Sequence, residues 1–290
     1  TFDGFEKMED GLEKFHPSFG GQFQVYNDEI VASIDYKLRR FNNSTNSWTT
    51  IDGIDDSYGY TLDTQIAYNH EEYSIDGGYT WNSIPSLEEY YREGEPVAIG
   101  TTLYRSLRIS EDDANGRRET WRLDLSANNP TWEKRSDTST STYEPMELIA
   151  IAPLGYLLRS QWTENGRLIE MSYDQGANWE SIANSCSHTI TAHTDGFYCT
   201  TMDDGVLWYN VGTDSWTSLE LPSASFSVKT PGAVDGIYVL QDNNIVKILG
   251  DGTQVVVSEF DVGDKSIGHI FLTEDRLMFN YKTIWTQPRN

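Results

Sequence analysis

Basic residues are scarce in this chain. Its 290 residues carry 21 lysines and arginines against 45 aspartates and glutamates, a formal charge of −24. A surface of that sign repels phosphate backbones and anionic lipid. It excludes nucleic acid as a partner and argues against docking on acidic membranes. Long apolar runs are missing too. None approaches the roughly 18 residues that a spanning helix requires, so no membrane insertion is expected. Metal signatures are weak: His16, His70, His188, His193 and His269 form no His-Glu-x-x-His pair. No glycine-rich loop leads from a strand into a helix, and no Gly-x-Ser-x-Gly elbow occurs. No cofactor is predicted. Ca²⁺ alone stays open: EDDANG (Glu111–Gly116) begins like a Ca²⁺ loop, although Arg122 stands where the closing glutamate belongs.

What is present is aromatic. Phe, Trp and Tyr make up 13% of the chain, too much for a disordered one. The chain starts at Thr1 and not at Met, which reads as a mature or trimmed form. Asn43-Ser44-Thr45 and Asn42-Asn43-Ser44 are glycosylation sequons, a short pattern that arises easily by chance.

Internal repeats organise the rest. SIDGGYTW (Ser74–Trp81) returns as SYDQGANW (Ser172–Trp179), and FNNSTNSWTTI (Phe41–Ile51) returns as YNVGTDSWTSL (Tyr209–Leu219). LDLSANNPTWEKR (Leu123–Arg135) is a looser relative. Each is a polar turn, then Trp, then a half-apolar run, the pattern of a β-hairpin. Outgoing strands register on Trp48, Trp81, Trp132, Trp179 and Trp216, with Val255 in the same slot of GDGTQVVVSEF and Leu12 in that of EDGLEKFHPS. SEDDANGRRE (Ser110–Glu119) is a charged loop insertion in this series.

A second register supports the first. Strands after an acidic or glycine turn begin at Ile30, Ile66, Val97, Tyr156, Phe197, Ile237 and Leu277. Four short strands per unit of about 40 residues describe a propeller blade. The expected fold is therefore all-β: one domain over residues 1–290, a seven-bladed β-propeller of four-stranded antiparallel blades. Six blades is the alternative. After Leu277 only one more strand, TIWTQ, has room, so a strand near Leu12 completes the last blade and closes the ring. The competing local reading makes Phe5, Met8, Leu12 and Phe15 one face of a helix. In the blade arrangement Cys186 and Cys199 sit nearly opposite on adjacent strands. A cross-strand disulfide follows, with two buried thiols as the alternative. A disulfide implies an oxidising compartment, and the expected location is extracellular, periplasmic or at a cell surface.

Ser74, Asp76, Gly78, Thr80 and Trp81 fill every position of Ser-x-Asp-x-Gly-x-Thr-Trp. That string resembles the Asp box (BNR repeat) of sialidase-like propellers. Ser172, Asp174, Gly176 and Trp179 match as well, with Asn178 in place of Thr, and the Asn-x-x-Thr-x-Ser-Trp copies look kelch-like. Asp and Ser side chains can bond the turn's backbone, Gly accepts positive φ, and Trp covers the gap between blades. The resemblance implies that these residues are structural and lie away from the ligand face. It also implies an Arg-Ile-Pro motif, an arginine triad and a Tyr/Glu nucleophile pair. Leu107–Ser110 (LRIS) lacks the Pro and follows the first box. Arg105, Arg108, Arg159, Arg276 and Tyr281 show no spacing that makes them converge.

Propeller geometry places two loop sets on the face opposite the boxes. One set holds Asp35, Tyr36, His70, Glu71, the 112–118 insertion, Trp162, Glu164, Asp203, Asp204, Asp242, Tyr281 and Lys282. The other holds Glu88, Glu89, Tyr90, Tyr91 and Arg92. Rings beside carboxylates suit sugars, and a propeller mouth is concave. Ligand candidates are Tyr36, His70, Tyr90, Tyr91, Arg92, Trp162, Asp203, Asp204 and Tyr281; no catalytic residue is assigned. The leading expectation is a secreted or cell-surface propeller that binds a glycan or a protein. A glycoside hydrolase or polysaccharide lyase on the same scaffold, and an assembly scaffold, are the alternatives. Oligomeric state is left open.

Overall fold

The structure is a computed structural model. It describes residues 6–8, 22–26, 29–34, 37–42, 44–45, 47–51, 61–62, 65–69, 71–87, 91–109, 117–139, 146–163, 166–182, 186, 190–201, 205–219, 228–229, 236–241, 244–249, 251–259, 270–272, 276–281 and 283–288. The chain divides into two compact units, residues 1–82 with 220–290, and residues 83–219. Among the described residues the strands form one sheet of five strands, five of four and one of three.

The first unit opens with β1 (Glu6–Met8). One sheet follows from β2 (Gln22–Tyr26), β3 (Glu29–Ile34), β4 (Lys37–Asn42) and β5 (Ser47–Thr50). The next is short: β6 (Thr61–Leu62), β7 (Ala67–Tyr68), β8 (Glu72–Ser74) and β9 (Asn82–Ser83). The second unit holds three sheets. They are β10 (Tyr91–Ile99), β11 (Thr102–Arg108), β12 (Arg117–Asp124), β13 (Trp132–Ser139); then β14 (Glu147–Ile151), β15 (Tyr156–Thr163), β16 (Gly166–Ser172), β17 (Glu180–Ile182); then β18 (Ile190–His193), β19 (Gly196–Thr200), β20 (Val206–Asn210), β21 (Ser215–Leu219). Back in the first unit, β23 (Ile237–Gln241), β24 (Asn244–Ile248) and β25 (Gln254–Glu259) make the three-stranded sheet. The five-stranded sheet runs β1, β28 (Thr283–Pro288), β27 (Arg276–Tyr281), β26 (Ile270–Leu272) and β22 (Val228–Lys229).

Each sheet but one is an antiparallel meander; the exception is β22, which runs parallel to β26. The N-terminal strand pairs with the last one, Glu6 opposite Thr286 and Met8 opposite Ile284. That strand lies at 6–8, so Met8 is in a strand and not a helix; Phe5, Leu12 and Phe15 lie outside the described residues. Trp48, Trp132, Trp216 and Val255 sit in the last strands of their sheets, β5, β13, β21 and β25, and Trp81 and Trp179 directly precede β9 and β17. One position of the second register is corrected. Val97 lies inside the first strand β10, and the second strand starts at Thr102 after a turn at Gly100. Gly94 and Pro96 imitate a turn because β10 bulges between Glu93 and Val97.

Cys186 and Cys199 form a disulfide, with Cα atoms 5.6 Å apart. The bond is not cross-strand: Ile190 of β18 sits opposite Cys199, and Cys186 precedes β18. Arg117 and Arg118 are likewise not loop residues. β12 begins at Arg117, and Arg118 is only 1% exposed.

The two Ser-x-Asp-x-Gly turns repeat each other bond for bond. Gly78 N–H donates to Ser74 Oγ at 2.7 Å, and Gly176 N–H to Ser172 Oγ at 2.7 Å. Asp76 Oδ1 accepts the N–H groups of Tyr79 and Thr80 at 3.0 and 2.9 Å; Asp174 Oδ1 accepts those of Ala177 and Asn178 at 3.1 and 2.8 Å. The second carboxylate oxygen accepts Thr80 Oγ1 at 2.6 Å in one copy and Asn178 Nδ2 at 2.7 Å in the other. Each Trp donates its indole N–H to the turn glycine's carbonyl at 3.2 Å. Gly78 and Gly176 sit at φ +88° and +83°. A side chain there would be strained, and at Gly176 it would also press on Thr120.

Each turn is strapped to the preceding sheet by an arginine. Arg40 donates to Gly77 O at 2.8 Å and pairs with Glu29 at 2.9 Å. Arg135 donates to Asp174 O at 3.1 Å and Gln175 O at 3.2 Å, and pairs with Glu133 at 2.9 Å. The rings complete the seams. Trp81 packs on a cluster from two sheets of the first unit, Tyr26, Val31 and Leu38 with Leu62 and Ala67. Trp179 packs on Tyr104, Leu148 and Leu157 in the second unit and donates to Ser136 Oγ at 3.0 Å.

Trp81→Ala and Trp179→Ala should each lower unfolding free energy in urea by about 2–3 kcal/mol, the lower part of the truncation range because both rings are half-buried. A loss below about 0.5 kcal/mol would show that the rings do not hold the seams. Hydrogen bonds from the Asn178 side chain and backbone, and from Ser172 and Ala177, lower the Asp174 pKa from 3.8 to about 2. A depressed carboxyl stabilises the fold above its unfolded pKa and loses that effect as pH falls through the folded value. The urea midpoint should therefore fall between about pH 4 and about pH 2, and Asp174→Asn should flatten that fall; an unchanged slope in the variant would exclude this carboxylate as its source.

Candidate functional site

Hairpin β15–β16 joins an apolar half to a polar half. Leu157 and Leu158 are fully buried on opposite faces: Leu157 packs with Tyr104 and Leu148, Leu158 with Ile151, Ile169 and Met171. Alternation then puts Ser160 and Trp162 on the face of Leu158, and Arg159 and Gln161 on the face of Leu157. Register adds Glu147, opposite Ser160, and Arg167, opposite Trp162, to the first face. The hairpin turns just beyond, between Thr163 and Gly166. These four side chains thus gather at the end of the sheet away from the Ser172–Trp179 turn, which follows the other end of β16.

Arg167 is the hub. Its Nη2 donates to Glu147 Oε2 at 2.6 Å and to Ser160 Oγ at 2.7 Å. The guanidinium carbon lies 5.8 Å from the centroid of the Trp162 ring. Burial lowers the Arg167 pKa while Glu147, by charge and hydrogen bond, works against that shift. An arginine with such a partner remains a cation at neutral pH. Exposure divides the roles. The Arg167 side chain is 8% exposed and that of Glu147 59%; Trp162 is 40% exposed. A buried cation therefore braces an open indole and an open carboxylate.

The opposite face is structural. Arg159 Nε donates to Glu170 at 2.6 Å, its Nη1 reaches the Thr138 hydroxyl on the neighbouring sheet, and its guanidinium lies 4.4 Å from the Trp179 ring centroid. In the sheet of β10–β13, Glu119 accepts Lys134 Nζ at 2.6 Å and Trp121 Nε1 at 2.9 Å. Arg105 alternates with Tyr104, so it faces away from the β14–β17 sheet and lies 5.7 Å from Trp132. Arg105 and Arg159 therefore do not assemble the arginine triad that a sialidase requires. His193 is buried between Tyr198 and Trp208, at 5.2 and 4.4 Å between centroids, and its Nδ1 accepts the Asp195 N–H at 3.1 Å. Among the described residues no group of three or more His, Cys, Asp or Glu could hold a metal ion.

Of the nine ligand candidates, Trp162 has a described side chain. Tyr36, His70, Tyr90, Asp203 and Asp204 lie outside the described residues. Tyr91 and Arg92 belong to strand β10, opposite Arg108 and Leu107, and not to a loop. Tyr281 ends β27, opposite Thr283. Glu147, Ser160 and Arg167 were missed. Strand alternation counted back from Trp162 would have found Ser160; the other two depend on pairing register, which the sequence does not print.

No family model matches the sequence, and no curated protein matches it. Solved structures do. A chain of the mitotic checkpoint complex matches with TM-score 0.59 at 10% identity, over 100% of this chain and 94% of that one. Oligogalacturonate lyase in complex with manganese matches with TM-score 0.61 at 13% identity, over 93% and 88%. The extracellular domain of a one-component system from B. thetaiotaomicron matches with TM-score 0.53 at 14% identity, over 100% of this chain and 40% of that one. The first two are β-propeller proteins, and the likeness shows a β-propeller fold. At these identities it shows the fold alone.

Arg167→Ala should destabilise the protein by about 1–2 kcal/mol, because it strips two bonds from a buried donor and unbraces the indole. Trp162→Ala should stay within about 0.5 kcal/mol. Thermal and urea unfolding of both variants would measure this; a Trp162→Ala loss as large as that of Trp179→Ala would make Trp162 a packing residue.

Proposed function

We propose that this chain is a glycan-binding β-propeller of seven blades, and that it holds its ligand at the strand ends opposite the Ser-x-Asp-x-Gly turns. One observation carries the binding reading: an open Trp162 ring and an open Glu147 carboxylate both neighbour the buried Arg167 at one end of the sheet. An indole face stacks on the C–H face of a pyranose, and a carboxylate accepts hydroxyl protons. Two observations support seven blades in one ring. Among the described residues seven sheets follow one another along the chain, and β1 supplies an outermost strand to the sheet of β26–β28. β22 precedes the three-stranded sheet and lies beside both β23 and β26. In this reading it is the innermost strand of that blade and meets the next innermost strand in parallel near the axis. The resemblance of the turns to Asp boxes fits the same layout.

The Cys186–Cys199 bond supports a secreted, periplasmic or cell-surface protein. Glycan cleavage is the second reading, since one neighbour in fold is a lyase. Among the described residues of β14, β15 and β16 the other carboxylate, Glu170, is engaged by Arg159 on the opposite face, so these strands show one open acid and not a pair.

A glycan and polysaccharide array, with and without Ca²⁺, tests the binding reading. Trp162→Ala should weaken the best hits by at least about tenfold with an unchanged melting temperature, the effect of losing one stacking ring. Trp81→Ala and Trp179→Ala should keep ligand affinity. A blank array from folded protein would sink the glycan reading and favour a protein partner; products released from a bound glycan would establish the enzyme.

A further inference from the structure

We infer that the Trp162–Glu147 surface selects an uncharged sugar over acidic and amino sugars; this rests on the glycan-binding reading above. Recognition of a uronate or another acidic sugar calls for a guanidinium or ammonium turned toward the ligand. The described cation of this site, Arg167, is turned the other way. Arg167 gives one nitrogen to Glu147 Oε2 and Ser160 Oγ, and its side chain is almost wholly covered. The group that faces solvent is the Glu147 carboxylate, whose Oε1 accepts no hydrogen bond among the described residues. A sugar carboxylate seated on Trp162 would meet that like charge, in the field of a chain with net charge −24.

A protonated amino sugar would answer the carboxylate but not the ring. The Trp162 ring already has a guanidinium beside it at 5.8 Å. A second cation over the same indole gains less than it would over a ring with no cation beside it. What remains is a neutral pyranose, with its C–H face on the indole and one hydroxyl donated to Glu147 Oε1. Such contacts carry no net charge, so affinity should barely depend on salt.

The test compares three probes on the full chain by calorimetry: neutral hexose and pentose oligosaccharides, oligogalacturonate, and chitosan oligosaccharides. Each is run at about 20 mM and about 300 mM NaCl, which changes screening strongly. The expected result is binding of a neutral probe, changed less than about twofold by salt, with the charged probes at least about tenfold weaker. Glu147→Gln removes the repulsion and loosens Arg167. It should weaken the neutral probe by about tenfold and admit oligogalacturonate in a salt-sensitive way, with the melting temperature as folding control. Tighter binding of wild type to either charged probe would overturn the selectivity and leave the glycan site standing. Failure of every probe, together with a blank array, would overturn both.

Discussion

A carboxylate that accepts two consecutive backbone N–H groups holds this structure in register at two points. Asp76 and Asp174 each close a turn through one oxygen and tie its last side chain through the other. With the turn fixed, the following Trp can enter the seam toward the neighbouring sheet and donate to the turn glycine's carbonyl. The seam clusters then form around those rings, one in each unit. Charge follows the same economy. Burial alone would raise the Asp76 pKa, yet bonds from Thr80, Ser74 and Tyr79 outweigh it and hold the group below the ordinary range.

The arginine straps show how sequence differences are absorbed. The fourth position of the Ser-x-Asp-x-Gly turn is Gly77 in one copy, at φ +75°, and Gln175 in the other, at φ +60°. A glutamine there is strained where glycine is not. The second copy is the one in which Arg135 grips two carbonyls, while Arg40 grips one. The first copy is held from the same side by other means: the Arg40 guanidinium lies 3.7 Å from the Tyr79 ring centroid, and the Tyr79 hydroxyl donates to Glu29 at 2.6 Å.

Much of this was legible in the sequence, and the limits have physical causes. Trp marks the fourth strand because a polar turn must precede it and a seam must receive it; both demands are local, so the string repeats. Val97 misled because Gly94 and Pro96 serve a bulge as readily as a turn. Cys186 was placed on a strand because nothing in CSHTI says where β18 begins. Arg118 read as part of a charged loop insertion, yet it stands at the start of β12, opposite Arg108, and is buried. Trp162 could be read from its place at the end of a predicted strand. Its partners could not, because Glu147 and Arg167 reach it through antiparallel register across three strands.

The central claim is a division of labour between the two ends of a sheet: pinned turns at one end, the proposed binding surface at the other. Hydrogen exchange of the full chain, with and without the best array ligand, measures it most directly. The account predicts added protection over β14 and the β15–β16 hairpin around Trp162 and Arg167, and no change at Ser74–Trp81 or Ser172–Trp179. Protection centred on those two turns, with the hairpin unchanged, would contradict it.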